Sequence, residues 1–163
     1  MKAYSAVAVV FAALNAFASA QARTATANFR TQATVVSACS VVGATLDFGE
    51  VNLSHVRGRR TQANIEVTCS QGLRFQVGID DGSNASAGQR RMKNAAGGTF
   101  VSYELYKSAF QNDRFGDAIH TQRFKGTGTG TVPVVVPVFG EILPRQSDPA
   151  GTYVDDSVIT VYF

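Results

Sequence analysis

Apolar and polar residues alternate along much of this chain with a period of two, which is the period of a β-strand. In residues 24–36 the odd positions from Ala25 to Val35 form one face, and the even positions are mostly Thr, Asn, Arg and Gln. The same alternation appears in residues 65–69, 75–79 and 101–105. We predict strands in all four segments, the first of them long and near the N-terminus.

The sequence closes with residues 153–163, a run of β-branched and aromatic residues that also has strand periodicity. Ser157, Ile159, Val161 and Phe163 fall on one face of this predicted strand. We expect a single strand that ends on Phe163. An apolar strand at a chain end needs a neighbour to hold it, because chain ends otherwise fray.

Turn residues separate these segments. Gln71 and Gly72 predict a hairpin turn, while residues 80–99 and 126–131 are Gly-rich and polar and predict surface loops. Pro133 and Pro137 each lack an N–H, so their strand is expected at a sheet edge or interrupted. Residues 46–49 (LDFG) place two apolar anchors around an Asp and end on a turn glycine.

No segment of useful length shows helical periodicity, and short strands with Gly and Pro turns are typical of an antiparallel sandwich. Strands that start near residues 33, 63, 73, 100, 131 and 152 number about six, one fewer than an immunoglobulin-like sandwich requires. We therefore predict an all-β fold, an incomplete immunoglobulin-like antiparallel β-sandwich with an open apolar edge. Residues 21–32 carry spare strand pattern, so one copy is expected to lend this strand to the next, head to tail.

The N-terminus has the pattern of a secretory signal peptide in residues 1–20: Lys2, an apolar segment at 6–14, and a small-residue cleavage site at 18–20. We expect a mature chain that starts at Gln21, with Arg23 as the alternative, and that contains no membrane-spanning segment. The remaining domains are then a donor extension at 21–32 and one β-sandwich at 33–163. In an oxidising compartment the two cysteines, Cys39 and Cys69, are expected to form a structural disulfide.

The other chemical features favour ordinary structural roles. The formal net charge of +3 is too small to indicate nucleic-acid binding, and we expect the basic clusters Arg57/Arg59/Arg60 and Arg90/Arg91/Lys93 to be solvated rather than to bind an anionic surface. His55 and His120 stand near no nucleophile motif and are expected in solvated loops. Residues 80–84 (DDGSN) are expected to form a turn rather than a calcium loop. We predict no catalytic residue, no metal site and no cofactor.

Six segments in order resemble the spore coat protein U domain family, which includes the pilins of archaic chaperone-usher systems. They are residues 39–49 ending in LDFG, 65–75 (IEVTCSQGLRF), 91–92 (RM), 103–106 (YELY), 115–117 (FGD) and 151–163 (GTYVDDSVITVYF). The resemblance covers nearly the whole chain after the predicted signal peptide.

This resemblance implies a non-enzymatic subunit that binds a periplasmic chaperone, passes to an outer-membrane usher and joins neighbouring subunits in a surface pilus that serves adhesion and biofilm formation. It implies donor-strand residues Ala25, Ala27, Phe29 and Thr31 and acceptor-groove residues Ile159, Val161 and Phe163. Ser157 occupies a groove position where the family pattern has an apolar residue. Two alternatives remain: a secreted spore-coat or surface-matrix protein, and a stand-alone carbohydrate- or surface-binding sandwich that uses the 80–99 loop.

Overall fold

A computed structural model describes residues 24–52 and 58–163. The predicted signal peptide, both predicted cleavage positions, His55 and Arg57 lie outside the described residues. The chain divides into two units, residues 1–34 and 35–163. Of the first unit, residues 24–34 are described; they are exposed and form no strand.

The second unit contains nine strands in its described residues. They are β1 (Cys39–Val42), β2 (Arg59–Cys69), β3 (Arg74–Ile79), β4 (Arg91–Asn94), β5 (Phe100–Tyr106), β6 (Phe124–Thr127), β7 (Val134–Ile142), β8 (Tyr153–Val154) and β9 (Ile159–Tyr162). Six of them form one sheet in the order β1-β2-β7-β5-β4-β8, and three form another in the order β6-β3-β9. Every ladder is antiparallel.

The core lies between the two sheets and is built from the inward positions that the alternation predicts. The larger sheet supplies Ile65, Val67, Val101, Leu105, Val136 and Val138, and the smaller supplies Phe75, Val77 and Ile79. Each of these side chains is buried. The all-β antiparallel sandwich predicted from the sequence is confirmed, and the described residues contain no helix.

A disulfide joins Cys39 to Cys69 and confirms the predicted pairing. The two residues are also register partners, the first of β1 and the last of β2. The bond therefore fastens an edge strand to the long strand beside it.

The prediction of a hairpin at Gln71–Gly72 is wrong, although a turn is present. Gly72 has a φ of 76°, and the N–H of Leu73 donates to the carbonyl of Ser70 at 3.1 Å. Gly72 and Leu73 then exchange backbone hydrogen bonds with Gly128, each of 2.8 Å, and not with β2. The turn therefore carries the chain from the larger sheet to the smaller one.

Three strand predictions need correction for physical reasons. The predicted loop at 80–99 contains β4, and the predicted loop at 126–131 contains the end of β6. Gly126 is suited to β6 because it lies opposite Phe75, and a Cβ there would collide with the Phe75 ring. The strand predicted at 24–36 is not formed, since no ladder includes these residues and a strand needs a partner.

The proline-containing strand, β7, is central rather than at an edge. β5 pairs only with the part of β7 from Phe139 to Ile142, whereas β2 pairs with β7 from Val134 to Ile142. Pro137 therefore lies where the β5 side of the strand carries no ladder, which is a local edge that tolerates its missing N–H.

The terminal segment is not the single strand that its alternation predicts. β8 pairs with β4 in the larger sheet, and β9 pairs with β3 in the smaller sheet. Residues 155–158 connect them across the corner between the sheets. One continuous segment of the chain therefore contributes an edge strand to each of the two sheets.

Candidate functional site

Two segments approach each other along one side of the sandwich: residues 39–52, which begin with β1, and the terminal segment 150–163. β1 and β8 are the two edges of the larger sheet, and β9 is an edge of the smaller one. The two segments approach closely at one point, because a Cβ added to Gly43 would lie 3.6 Å from Cδ1 of Ile159. We call the space between residues 39–52 and 150–163 the edge groove.

Two cavities open along the edge groove. The larger, of about 950 Å³, lies between residues 46–52 and 148–153. The smaller, of about 260 Å³, lies between residues 44–48 and 155–159 and reaches the core side chains Ile65, Ile79 and Leu105. Leu46, Phe48 and Met92 line both cavities, so the two cavities are neighbours along the groove.

Alternation along 153–163 directs the odd-numbered side chains inward. Ile159 and Val161 pack against the core, opposite the buried Ile79 and Val77 in the β9–β3 ladder. Ile159 also lines the smaller cavity. Phe163 follows the end of β9 and is 63% exposed. The structure thus brings two of the three predicted groove residues to the core and leaves the third at the open end.

The corner at 155–158 is held by hydrogen bonds to the turn at 80–84. Backbone N–H groups of Asp80 and Ser83 donate to the carbonyls of Val158 and Asp156 at 3.1 and 2.9 Å. In return, the N–H of Val158 donates to Oδ1 of Asp80 at 3.0 Å. The turn predicted for DDGSN is therefore present, and it anchors one wall of the groove.

Ser157 belongs to a polar cluster inside the groove. The Tyr103 hydroxyl donates to Oδ2 of Asp155 at 2.8 Å and lies 3.3 Å from Oγ of Ser157. Because the single phenolic proton goes to Asp155, Ser157 is the donor in its contact with Tyr103. Burial raises the pKa of Tyr103 well above its ordinary value, with the neighbouring Asp155 adding to the rise and Ser157 opposing it.

The opposite face of β9 is covered by a loop. The Tyr162 hydroxyl donates to Oδ2 of Asp117 at 2.9 Å, and the Arg123 guanidinium lies 3.6 Å from the Tyr162 ring centroid. Arg123 also contacts Asp117 at 2.9 Å. A Cβ on Gly78 would collide with Asp117, so glycine permits this close approach. β9 is fixed from outside, and its edge away from β3 has no strand partner among the described residues.

One residue of the basic clusters is buried and supports the fold, which the sequence does not indicate. Arg90 is completely buried, which makes the prediction of solvation wrong for this residue. Its guanidinium donates to the carbonyls of Ile79 and Asp80 and to Oε1 of Glu104, the last at 2.6 Å. The cause is the end of β3, whose carbonyls need donors where the chain turns. No pattern in the amino-acid sequence indicates this role for Arg90.

The other described residues of the basic clusters and His120 lie at or near the surface. Arg59 and Arg60 are exposed at the start of β2, and Arg91 lies over the Phe100 ring. His120 is exposed in a turn. Residues 24–52 and 58–163 contain no group of three or more His, Cys, Asp or Glu that could hold a metal ion. In the same ranges no helix is long and apolar enough to cross a membrane.

The predicted donor residues lie in the first unit and are exposed. Phe29 is 93% exposed, and Ala25, Ala27 and Thr31 share that exposure. An apolar aromatic side chain held in water is unfavourable, because burial of such a ring is worth roughly 2 to 3 kcal/mol.

Comparisons with known proteins agree with this architecture. The Spore Coat Protein U domain matches residues 25–160. Protein U of Myxococcus xanthus is 36% identical over 181 aligned residues, which cover 98% of this chain and 97% of that protein.

A solved structure has a similar fold: the CsuC-CsuE chaperone-tip adhesion subunit pre-assembly complex from archaic chaperone-usher Csu pili of Acinetobacter baumannii. The TM-score is 0.61 at 25% identity, and the match covers 80% of this chain and 40% of that one. The matched family is one of structural surface proteins and not of enzymes, as the sequence predicts. By this match and by the order of its motifs, the chain belongs to the spore coat protein U domain family.

Proposed function

We propose that this chain is a structural subunit of a surface pilus that assembles by donor-strand exchange. The observation that carries the proposal is the edge groove, an apolar-floored space between residues 39–52 and 150–163 that lies beside the edge strand β9. A strand that enters it can pair with a free sheet edge and bury its alternate side chains, which is the binding mode of β-augmentation.

The first unit supplies a segment of the right kind. Residues 24–34 alternate small or apolar side chains with polar ones and are exposed. In the proposed assembly, Ala25, Ala27, Phe29 and Thr31 of one copy face the groove of the next copy. Because donor and groove are different surfaces, the contact is head-to-tail and extends into a filament.

The proposal includes the route to the surface. The solved structure with a similar fold is a complex of a chaperone with a tip adhesion subunit of an archaic chaperone-usher pilus. By analogy, a periplasmic chaperone occupies the edge groove of this chain before an outer-membrane usher replaces it with a donor strand. Export by the signal peptide, adhesion and biofilm formation belong to the same proposal.

A matched pair of charges tests donor-strand exchange. Ala27→Asp places a carboxylate on the inward face of the donor, and Asn28→Asp places one on the outward face of the same segment. With chaperone and usher co-expressed, we expect Ala27→Asp to abolish long polymers on native gels, because a buried unpaired charge is costly. We expect Asn28→Asp to polymerise normally.

Deletion of residues 21–32 gives the stronger perturbation. We expect the deleted chain to remain folded with its chaperone and to form no polymer. Polymers of ordinary length from the deleted chain, or from Ala27→Asp, would overturn donor-strand exchange. Equal stability of a chaperone-free monomer with and without the segment would also do so.

A second candidate function follows from the close relation to Protein U, at 36% identity over nearly the full length. In this alternative, the chain assembles by the same exchange into a coat or matrix on the cell or spore surface. Immunogold labelling distinguishes the two, because a pilus subunit labels thin filaments that depend on the usher, whereas a coat protein labels the surface layer.

A further inference from the structure

We propose that this chain binds a carboxylate-bearing saccharide, a hexuronate oligomer, in a cavity on the outer face of the smaller sheet. The cavity has a volume of about 550 Å³ and is bordered by residues 74–76 of β3, 125–127 of β6 and 162–163 at the end of β9. We call it the outer-face cavity. Of its lining, only Tyr162 and Phe163 belong to the segments that form the edge groove, and the inference does not rest on the proposed assembly.

The strand register places the polar side chains of the outer-face cavity on the solvent side of the sheet. Phe75 is buried in the core, so its neighbours Arg74 and Gln76 point outward. Lys125 lies opposite Gln76 on β6, and Tyr162 lies opposite it on β9. Arg74 and Lys125 are therefore diagonal neighbours, about 7 to 8 Å apart along the backbone, and their long side chains reach one anion between them.

Two cations at the outer-face cavity lack an acidic partner. Arg74 and Lys125 are both exposed, and neither forms an ion pair with any residue in 24–52 or 58–163. The described lining of the cavity contains no Asp or Glu. Arg123, which lies over the Tyr162 ring, is already paired with Asp117 at 2.9 Å. The cavity therefore presents uncompensated positive charge and favours an anionic ligand.

An unpaired amide in the cavity calls for a hydrogen-bond donor as well. Oε1 of Gln76 is buried and has no hydrogen-bond partner among the described residues. Such acceptors are nearly always paired in folded proteins, because an unpaired one has lost its hydrogen bonds to water. The terminal torsion of a glutamine amide is broad and roughly two-fold, so a half-turn brings the oxygen toward the cavity that Gln76 lines. A ligand hydroxyl then supplies the missing donor, which a carboxylate alone cannot do.

The aromatic part of the lining completes the ligand chemistry. Tyr162 and Phe163 border the cavity, and Phe163 is 63% exposed. An exposed aromatic side chain gains from contact with another apolar surface. The ring of a hexuronate offers such a surface on its C–H face, together with hydroxyl donors at its edge and one carboxylate. One sugar residue therefore carries all three groups that the cavity can bind.

The number of cations argues for a small ligand instead of a charged surface. Attachment to an anionic membrane uses a cluster of about four to eight Lys or Arg residues. The outer-face cavity has only Arg74 and Lys125. A concave space of about 550 Å³ instead falls within the size range of small-molecule sites.

Fluorescence anisotropy of trigalacturonate, labelled at its reducing end with an uncharged fluorophore, measures binding to the purified full chain at low ionic strength. Arg74→Gln and Lys125→Gln should each raise the Kd at least threefold, and the double variant at least tenfold, because each removes a charge-assisted hydrogen bond. Lys93→Gln is the matched control, since Lys93 is an exposed cation of β4 in the larger sheet. We expect this control to leave the Kd unchanged. All these positions are exposed or on the sheet surface, and circular dichroism checks that each variant is folded.

Two unlabelled competitors separate an acidic saccharide from other ligands. Galactotriose has the sugar rings without the carboxylates, and triglutamate has the carboxylates without the sugar rings. We expect unlabelled trigalacturonate to displace the probe at least tenfold more effectively than either of them. Equal displacement by triglutamate overturns the assignment of a saccharide, and equal displacement by galactotriose overturns the role of the two cations.

The remaining outcomes separate this inference from the proposed function. Absence of binding, or the same Kd for the original chain and the Arg74→Gln/Lys125→Gln variant, overturns the outer-face cavity as a binding site. A chain that binds trigalacturonate as described, yet forms no polymer with chaperone and usher, contradicts only the proposed function. A chain that polymerises without binding trigalacturonate contradicts only this inference.

Discussion

Replacement of Arg90 by alanine tests how the groove wall is supported. Arg90 is fully buried, with Nη1 2.6 Å from Oε1 of Glu104. Nη2 donates to the carbonyl of Ile79 at 2.9 Å, and Nε donates to that of Asp80 at 3.1 Å. These carbonyls end β3 and begin the turn that holds residues 155–158, so the substitution removes support from both.

The magnitude follows from the groups that lose their partner. Removal of one member of a buried ion pair costs about 3 to 5 kcal/mol. Glu104 keeps Arg114 at 3.1 Å and the N–H of Leu105 at 3.0 Å, which places its share at the low end. We therefore expect Arg90→Ala to lower the free energy of unfolding by about 3 kcal/mol.

Urea unfolding followed by far-ultraviolet circular dichroism measures this change. With a urea dependence of about 1 to 3 kcal/mol per M, the midpoint should fall by roughly 1 to 3 M. Lys93→Ala is the control, because Lys93 is an exposed cation of the adjacent strand β4. A midpoint for Arg90→Ala within error of the Lys93→Ala midpoint would refute the reasoning.

Two further predictions concern the disulfide and the groove tyrosine. The double variant Cys39→Ala/Cys69→Ala should unfold with about 3 to 4 kcal/mol less free energy, by the loop-entropy argument; an unchanged midpoint in urea contradicts it. For Tyr103, burial raises the folded-state pKa above the unfolded value of about 10. The stabilising contribution is therefore complete below about pH 10 and is lost as the pH rises above it. Tyr103→Phe should flatten the fall in unfolding free energy as the pH rises above about 10, and an identical pH profile for the two proteins would count against this assignment.

The sequence predicts the buried strands better than the short strands and turns that connect them. Ile65, Val67, Phe75 and Val77 alternate cleanly, so both their strands and their burial follow from the pattern. β6 was missed because Gly126 resembles a loop residue, although the Phe75 ring lying against it requires the glycine.

The alternation predicts apolar residues of the edge groove, but it does not predict the polar residues of the groove or their hydrogen bonds. Ile159 and Val161 follow from alternation, whereas the corner at 155–158 depends on hydrogen bonds to residues distant in sequence. A serine at position 157 interrupts the apolar pattern, and its role follows from the contact with the Tyr103 hydroxyl. The burial of Arg90 depends on hydrogen bonds to carbonyls at the end of β3. Period and composition contain no information about such long-range pairs.

The disulfide has a mechanical consequence for the strand at the groove. Tension applied to residues 24–38 enters the sandwich at Cys39 and passes through a covalent bond to Cys69, the last residue of β2. β2 is paired along most of its length with β7. The load therefore bypasses the short β1–β2 ladder and reaches the long β2–β7 ladder directly, so that β1 is not peeled from the edge one hydrogen bond at a time.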